Sequence, residues 1–299
     1  MLKFFKTWTL PISMLAGAIG YFVFANVTFL EPTKPFMYTL IAYLTPFLIF
    51  AQLLLTFCKI SVRELMPSPW HGWLLLIQAV SSLVLAALLL WLPMREEYRD
   101  VFEGAMVCLI CPTASSLTTY TLLSNLLAAI VVPLVFPLVE PHAEITFFAA
   151  FLKILGKVFP LLLFPFFLAL FLRRFIPPIH RFLAGLRDMA FYLWAVALAI
   201  VTGQTVKSLV NSEAEIYVEI LIALGGLITC IAQFYWGKRI GKKYNDRISA
   251  GQALGQKNTV LAIWMSYTYL NPLSSVGPGS YVLWQNIINS WQLWKKRKN

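Results

Sequence analysis

The feature that most constrains this chain is a lysine in the middle of a long apolar run. The run extends from Ile248 to Leu270, and Lys257 lies ten residues after Arg247, the last of a group of cations. At the helical rise this is roughly 15 Å, half of a ~30 Å hydrocarbon core. A lysine at the bilayer midplane costs ~2.5–3.5 kcal/mol on insertion scales, and its side chain is too short to reach the surface. The sequence therefore predicts that the Lys257 side chain is buried in the protein interior.

The residues around Lys257 predict that this span is broken. Gly251 and Gly255 each weaken a helix by ~1 kcal/mol relative to alanine, and Asn258 can cap a new helix that begins at Thr259. We expect the break near Gly255. Unwound backbone at membrane depth is tolerated only against protein or a water-filled cavity, so a broken span is typical of binding sites in secondary transporters. The alternative is a lysine that pairs with a buried acid or lines an inert hydrated cleft.

Composition and charge distribution indicate the class of protein. Of the 299 residues, 59% are hydrophobic and 12% are charged, which is typical of a polytopic helical membrane protein. The net charge of +11 could indicate a nucleic-acid partner, but the cations cluster in alternate loops, the pattern that sets membrane orientation. We therefore expect a lipid bilayer around the chain and no nucleic acid. The four cysteines and three histidines show no metal-ligand spacing, so free thiols and no metal are expected.

The apolar runs predict the number and direction of the spans. With a cytoplasmic N-terminus, ten crossings put most of the 24 cations in inner loops and few in outer loops. This predicts a multi-pass protein of the plasma (inner) membrane with both termini in the cytoplasm. The ten runs cover residues 8–29, 36–58, 70–93, 101–112, 117–139, 147–172, 189–210, 216–236, 248–270 and 276–294.

The ten segments divide into two halves of five, as expected for an inverted repeat. Residues 1–140 and 141–299 each contain an odd number of crossings, so the halves have opposite orientations in the membrane. Each half has its interrupted segment in fourth place, at Pro112 in the first half and at Lys257 in the second. Paired interruptions of this kind point to a binding site at the bilayer midplane. The predicted fold class is therefore an all-α polytopic membrane protein of two inverted five-helix repeats.

The fourth segment presents a geometric difficulty. Between Glu103 and Glu140, both predicted outside, the chain is too short for two fully helical crossings of a ~30 Å core. Either residues 113–116 form a re-entrant tip at mid-depth, or the sequence lacks about a dozen residues there.

Other polar side chains within spans are candidates for the same site. Gln78 either forms a helix-to-helix hydrogen bond or lines the site, and Ser124 and Asn125 face the same choice. Asn125 is the stronger of these two, because a serine commonly bonds its own helix. Gln285 and Asn286 either contact the broken helices or join the bundle. Apart from His71 at a span end, we find no aspartate and no histidine within the spans, and no serine and lysine pair with a spacing typical of catalysis, so an enzyme is not expected.

The residues at the second interruption form a recognisable motif, because residues 255–262 read Gly-Gln-Lys-Asn-Thr-Val-Leu-Ala. This motif resembles the Gly-Met-Gln-Asn-Ser-Gly-Leu-Ala of the bile acid:sodium symporter (BASS, or SBF-like) superfamily. Residues 277–286, the Cys-Pro of the fourth segment and Gln78 add to the resemblance. It implies a core of segments three to five and eight to ten, a panel of segments one, two, six and seven, and crossed broken helices four and nine. It also implies transport of organic anions such as bile acids or small carboxylates, usually with sodium.

The chain departs from this family where sodium binds. The family's ninth-segment glutamate corresponds to Ala253, and its motif glutamine to Lys257. The family's Gly-Thr-Ala-Ser-Asn crossover is missing or compressed to residues 113–115, whereas Gln78 and Ser124 match sodium-site positions. Without the carboxylate, sodium has too few charged oxygens, so no cofactor is expected and sodium is possible only at degraded sites.

The leading hypothesis is a sodium-independent secondary transporter of small organic anions that works by alternating access. Lys257 replaces the cation and bonds to Gln78 and to carbonyls of the broken helix; alternatively, since burial disfavours its charged form, it releases its proton and couples transport to the proton gradient. Two other functions stay open: a non-transporting receptor or scaffold with the transporter fold, and an arsenite-type oxyanion exporter with Cys108 or Cys111 as the soft ligand. The predicted substrate or ion-binding residues are Lys257, Asn258, Gln256, Gln78, Asn125, Ser124, Thr113 and Ala253.

Overall fold

The chain is almost entirely α-helical in the computed structural model, which describes residues 2–60, 65–114, 118–140, 146–186 and 188–298. Within these residues there are twelve α-helices and no strand beyond one isolated bridge. The helices are α1 (Leu2–Asn26), α2 (Lys34–Cys58), α3 (Pro69–Trp91), α4 (Glu96–Ile110), α5 (Thr118–Val139), α6 (Phe147–Phe175), α7 (Pro177–Gly185), α8 (Met189–Val210), α9 (Ile216–Lys242), α10 (Arg247–Gly255), α11 (Thr259–Tyr269) and α12 (Val276–Lys298).

Seven helices in the described part of the chain are long and apolar enough to cross a membrane: α1, α2, α3, α5, α6, α8 and α9. The predicted class, an all-α multi-pass membrane protein, is therefore confirmed. The other three predicted segments differ from a regular span. Segment four is the 15-residue α4, segment nine is divided into α10 and α11, and α12 is long enough but more polar.

One compact unit of the chain comprises Met1–Ile60 and Pro160–Ser212. It contains α1, α2, the second part of α6, α7 and α8, and α8 packs against both α1 and α2. A Cβ atom added at Gly17 would collide with the carbonyl oxygen of Ala199, so α1 and α8 approach at backbone distance. The rings of Phe50 in α2 and Phe164 in α6 are tilted by 43° relative to each other, with centroids 5.9 Å apart.

The second compact unit comprises Ser61–Phe159 and Glu213–Asn299. It contains α3, α4, α5, the first part of α6 and α9 to α12. Helix α9 packs against α4, α10 and α12, and α3 packs against α4 and α5. Both interrupted segments lie within this unit.

Arg99 fixes the depth at which α4 begins. Its guanidinium donates hydrogen bonds to the carbonyls of Leu89 in α3 (3.2 Å) and Val139 in α5 (2.8 Å). The start of α4 and the ends of α3 and α5 therefore lie at the same height in the helix bundle. From that level α4 continues for only ~17 Å to Ile110, whereas α5 extends for ~32 Å from Val139 back to Thr118. Helix α4 therefore ends about halfway along α5.

This geometry corrects the premise of a fully helical fourth segment. Residues 111–114 are not helical, and extended chain advances ~3.3 Å per residue instead of 1.5 Å. The seven residues between Ile110 and Thr118 can thus span up to ~23 Å, enough to reach the start of α5 without additional residues. Part of the predicted re-entrant tip, Ser115 and Ser116, lies outside the described residues.

Candidate functional site

The two interrupted segments meet in the second unit through their backbones. Thr113 and Lys257 form an isolated antiparallel bridge. Next to it, the Asn258 N–H donates to the Pro112 carbonyl (2.9 Å) and the Ala114 N–H donates to the Gln256 carbonyl (3.1 Å). The two segments contribute equivalent groups to this pattern, so it is symmetric. These hydrogen bonds satisfy polar backbone groups that would have no water to bind in a bilayer.

The predicted break near Gly255 is confirmed, because α10 ends at that residue and α11 begins at Thr259. The predicted cap is also confirmed: the Asn258 side chain accepts a hydrogen bond from the Leu261 N–H at 3.3 Å. Gly255 itself remains helical. A Cβ atom there would lie 2.5 Å from the Phe234 ring, so close packing against α9 requires glycine at this position.

Lys257 is buried, with 1% of its surface exposed. Its ammonium donates to the Leu109 carbonyl at 3.1 Å, and its backbone N–H donates to Gln285 Oε1 at 2.9 Å. Leu109 is in the last turn of α4, where the helix dipole presents its negative end to a cation. The alternative of a buried acid as partner is wrong within the described residues, where Lys257 forms no ion pair.

The expected hydrogen bond between Lys257 and Gln78 is also wrong. The amide nitrogen of Gln78 donates to the carbonyls of Ile110 (2.7 Å) and Cys111 (3.2 Å), and its oxygen accepts from the Tyr120 hydroxyl (3.1 Å). Gln78 therefore satisfies the last two carbonyls of the interrupted segment, whereas the lysine takes the carbonyl of Leu109.

A second glutamine and tyrosine pair, which sequence reasoning missed, contacts both interrupted segments. Gln233 of α9 donates to the Cys108 carbonyl (3.2 Å) and to the Tyr281 hydroxyl (3.1 Å). Tyr281 in turn donates to the carbonyl of Gly255, the last residue of α10, at 2.8 Å. The signal in the sequence was a single amide within an apolar span, as at Gln78.

The remaining predicted residues surround the bridge in different roles. Ser124 Oγ accepts from the Thr113 N–H at 3.2 Å and donates to Thr121 O at 3.1 Å. The Thr113 hydroxyl donates to the Gln256 carbonyl at 2.9 Å, so Gln256 contributes its backbone. Asn125 is 1% exposed, and its Nδ2 has no hydrogen-bond partner.

Ala253 lies in an apolar cluster and offers no oxygen ligand from its side chain. It is fully buried beside Trp70, Leu74, Tyr120 and Leu254. The position predicted to have lost a carboxylate is therefore packed as hydrophobic core.

Three cysteines lie close to the bridge. Cys108, Cys111 and Cys230 are buried free thiols, as is Cys58, which confirms the prediction of free thiols. Cys111 Sγ donates to the Asn258 carbonyl at 3.1 Å. Among the described residues no three histidine, cysteine or acidic side chains are grouped closely enough to hold a metal ion.

No protein-family model and no curated protein matches this chain. Its function is therefore inferred from the site itself.

Proposed function

We propose that this chain is a secondary transporter of small organic anions, a divergent member of the BASS superfamily in which Lys257 replaces the transported sodium ion. One observation carries the proposal: a buried ammonium bonds to the Leu109 carbonyl where two interrupted membrane segments meet. Interrupted helices at membrane depth are a recurrent means of binding substrates and ions in secondary transporters.

The paired contacts of the two halves support ten spans in two inverted repeats. Gln78 and Tyr120 join segments three and five, and Gln233 and Tyr281 join segments eight and ten. The bridge residues follow the same rule, because the Thr113 N–H bonds to a side chain of segment five and the Lys257 N–H to a side chain of segment ten.

The two compact units support the division into panel and core. Segments one, two and seven belong to the first unit, and segments three to five and eight to ten to the second. The sixth segment is divided between the units at residues 159 and 160.

Sodium independence is supported by the surroundings of Lys257. Its ammonium is bound to a helix carbonyl, and the carboxylate that sodium would need is replaced by Ala253 within hydrophobic core. Sodium prefers oxygen ligands and is held in such sites by charge, so a fixed cation removes both the space and the attraction for it.

The donors at the bridge suit a carboxylate. An ammonium carries three N–H donors, and Lys257 uses one of them on Leu109. Asn125 contributes a buried N–H₂ group that has no partner, and the N-terminus of α11 begins two residues after Lys257. Positive helix ends and ammonium groups both stabilise bound anions.

Transport requires that this site open. Lys257, Asn125 and Gln78 are each only 1% exposed, so the site is closed to solvent. Substrate enters when the site becomes exposed to one side of the membrane and leaves when it becomes exposed to the other.

The test is uptake by the purified protein in liposomes, with labelled taurocholate and labelled pyruvate as substrates. We expect equal uptake when sodium is replaced by choline, and loss of uptake in Lys257→Gln. Strong sodium dependence of the wild type would refute the replacement of sodium by lysine. An inward acid gradient that accelerates wild-type but not Lys257→Gln uptake would assign the coupling to release of the lysine proton.

The closed site favours one second candidate, a receptor or scaffold that keeps a transporter fold without transport. Its distinguishing result is absence of uptake: a panel of organic acids and bile salts should then include a thermal stabiliser for a receptor and none for a scaffold. A wild-type melting temperature that rises with one of these acids, and does not rise in Lys257→Gln, excludes the scaffold.

A further inference from the structure

A basic pocket lies at the C-terminal end of α9. The pocket has a volume of about 500 Å³ and is lined by Tyr235, Arg239, Lys242 and Lys243. Three of these four side chains are cationic, and none is acidic. An open cavity with such a lining is suited to an anionic group.

The cations of this region repel one another and lack acidic partners. Like charges four residues apart on a helix destabilise it. Lys238 and Lys242 form such a pair within α9, and Arg239 forms another with the C-cap residue Lys243. Within the described residues none of these four forms an ion pair. Asp246, the acid that follows α9, accepts a hydrogen bond from Trp70 Nε1 at 3.0 Å. A bound anion would relieve this repulsion.

Cations of two other helices add to the positive electrostatic potential around the pocket. Lys238 lies within electrostatic range of Arg247 at the start of α10 and of Lys295 near the end of α12. Helix α10 is tied to α12 by the hydrogen bond from Gln252 Nε2 to Asn289 Oδ1 at 3.0 Å. The positive charge is therefore built from three helices that are packed together.

Aromatic side chains indicate the depth of the pocket in the bilayer. Tyr235 and Trp236 are 53% and 46% exposed on α9, and Trp291 is 54% exposed on α12. Tyrosine and tryptophan side chains at span ends prefer the level of the lipid headgroups. The Lys295 ammonium lies 5.4 Å from the Trp291 ring centroid, so cations and aromatic side chains share this level.

Arg239 is held in position between two aromatic residues. Its Nη1 donates to the Tyr235 hydroxyl at 2.9 Å, and its guanidinium carbon lies 5.6 Å from the Trp236 ring centroid. A restrained guanidinium loses little entropy when it binds a phosphate through two parallel hydrogen bonds. Cations that only set the orientation of a span need neither a shared cavity nor a restrained geometry.

We propose that the pocket of Tyr235, Arg239, Lys242 and Lys243 binds the phosphate headgroup of an anionic phospholipid of the surrounding membrane. Arg239 binds the phosphate oxygens, Lys242 and Lys243 neutralise its charge, and the acyl chains lie along the exposed aromatic side chains of α9. Clusters of lysine and arginine next to a span attract anionic lipid headgroups, by about 1 kcal/mol for each cation near the surface.

The test is native mass spectrometry of the delipidated full-length protein, titrated with phosphatidylglycerol or with phosphatidylcholine of the same acyl chains. We expect preferential retention of phosphatidylglycerol, and at least about tenfold weaker binding in the variant Arg239→Gln/Lys242→Gln/Lys243→Gln. The matched control, Arg173→Gln/Arg174→Gln/Arg181→Gln, removes equal charge from exposed positions elsewhere and should bind within about twofold of wild type.

Three results would overturn the proposal: no preference for phosphatidylglycerol, an equal loss in both triple variants, or stabilisation by inorganic phosphate alone without any lipid preference. The last result would assign the pocket to a soluble phosphate. If the pocket triple variant does not fold, Arg239→Lys keeps the charge and removes the planar donor pair, and it should still weaken binding several-fold. Because no transported substrate is present, the result is independent of the proposed transport.

Discussion

The two interrupted segments share one backbone arrangement but differ in the side chain that occupies its centre. Thr113 in the first half extends its hydroxyl to the Gln256 carbonyl, whereas Lys257 in the second extends its ammonium to the Leu109 carbonyl. Each side chain thus bonds to backbone of the opposite segment. The backbone hydrogen bonds, which are the same in both halves, satisfy the peptide groups at the interruptions. Only the second half adds a charged side chain, that of Lys257.

The chain beyond each interruption also differs. Asn258 caps α11, so the second segment continues as a helix after the break. In the first half the four residues after α4 are not helical. The half with the stronger local signal for a new helix is therefore also the half that carries the cation.

Replacement of the central side chains should give the largest difference between the halves. Lys257→Gln removes a charge-assisted donor, and we expect anion affinity in a binding assay to fall by about 10- to 150-fold. Thr113→Val removes one neutral hydrogen bond and should reduce it by no more than about threefold. Similar losses in both variants would show that the charge is not what distinguishes the halves.

The two glutamines should differ in their effect on stability. Gln78→Leu removes three hydrogen bonds and should lower the free energy of unfolding by about 2 kcal/mol, at ~0.6 kcal/mol for each bond in a membrane. Gln233→Leu removes two and should cost about 1 kcal/mol. Reversible unfolding in mixed detergent micelles measures both.

Gln52→Leu in α2 is the control for the glutamine variants, because Gln52 Oε1 has no hydrogen-bond partner. Its effect should stay below ~0.6 kcal/mol. Equal effects of Gln78→Leu and Gln233→Leu would mean that the number of bonds does not determine the cost.

The tyrosines should give the smallest difference, in the opposite order. Tyr281 both donates to Gly255 O and accepts from Gln233, whereas Tyr120 only donates to Gln78. Tyr281→Phe should therefore cost about 1 kcal/mol and Tyr120→Phe about 0.6 kcal/mol in the same unfolding assay. A larger effect at Tyr120 would contradict this assignment of donors.

Local signals in the sequence predicted the second interruption well. The break and the cap follow from the residue types at Gly255 and Asn258, whose preferences act over one helical turn. The burial of Lys257 follows from its depth in an apolar run.

Contacts between distant segments could not be derived in the same way. The choice of Leu109 over Gln78 as the partner of Lys257 depends on where α4 ends, and the Gln233 and Tyr281 pair depends on how α9 packs against α12. The end of the helix at Ile110 was missed because the length of the fourth segment was judged at the helical rise alone.

The backbone bonds between the two interruptions have a consequence for biogenesis. The carbonyl of Leu109 receives its donor from a residue synthesised 148 positions later. At a translation rate of roughly 5–20 residues per second, the first half waits about 7–30 s with these peptide groups unpaired. During that interval the nascent chain depends on the insertion machinery to shield these groups, so ribosome stalling before Lys257 should expose the chain to membrane proteases.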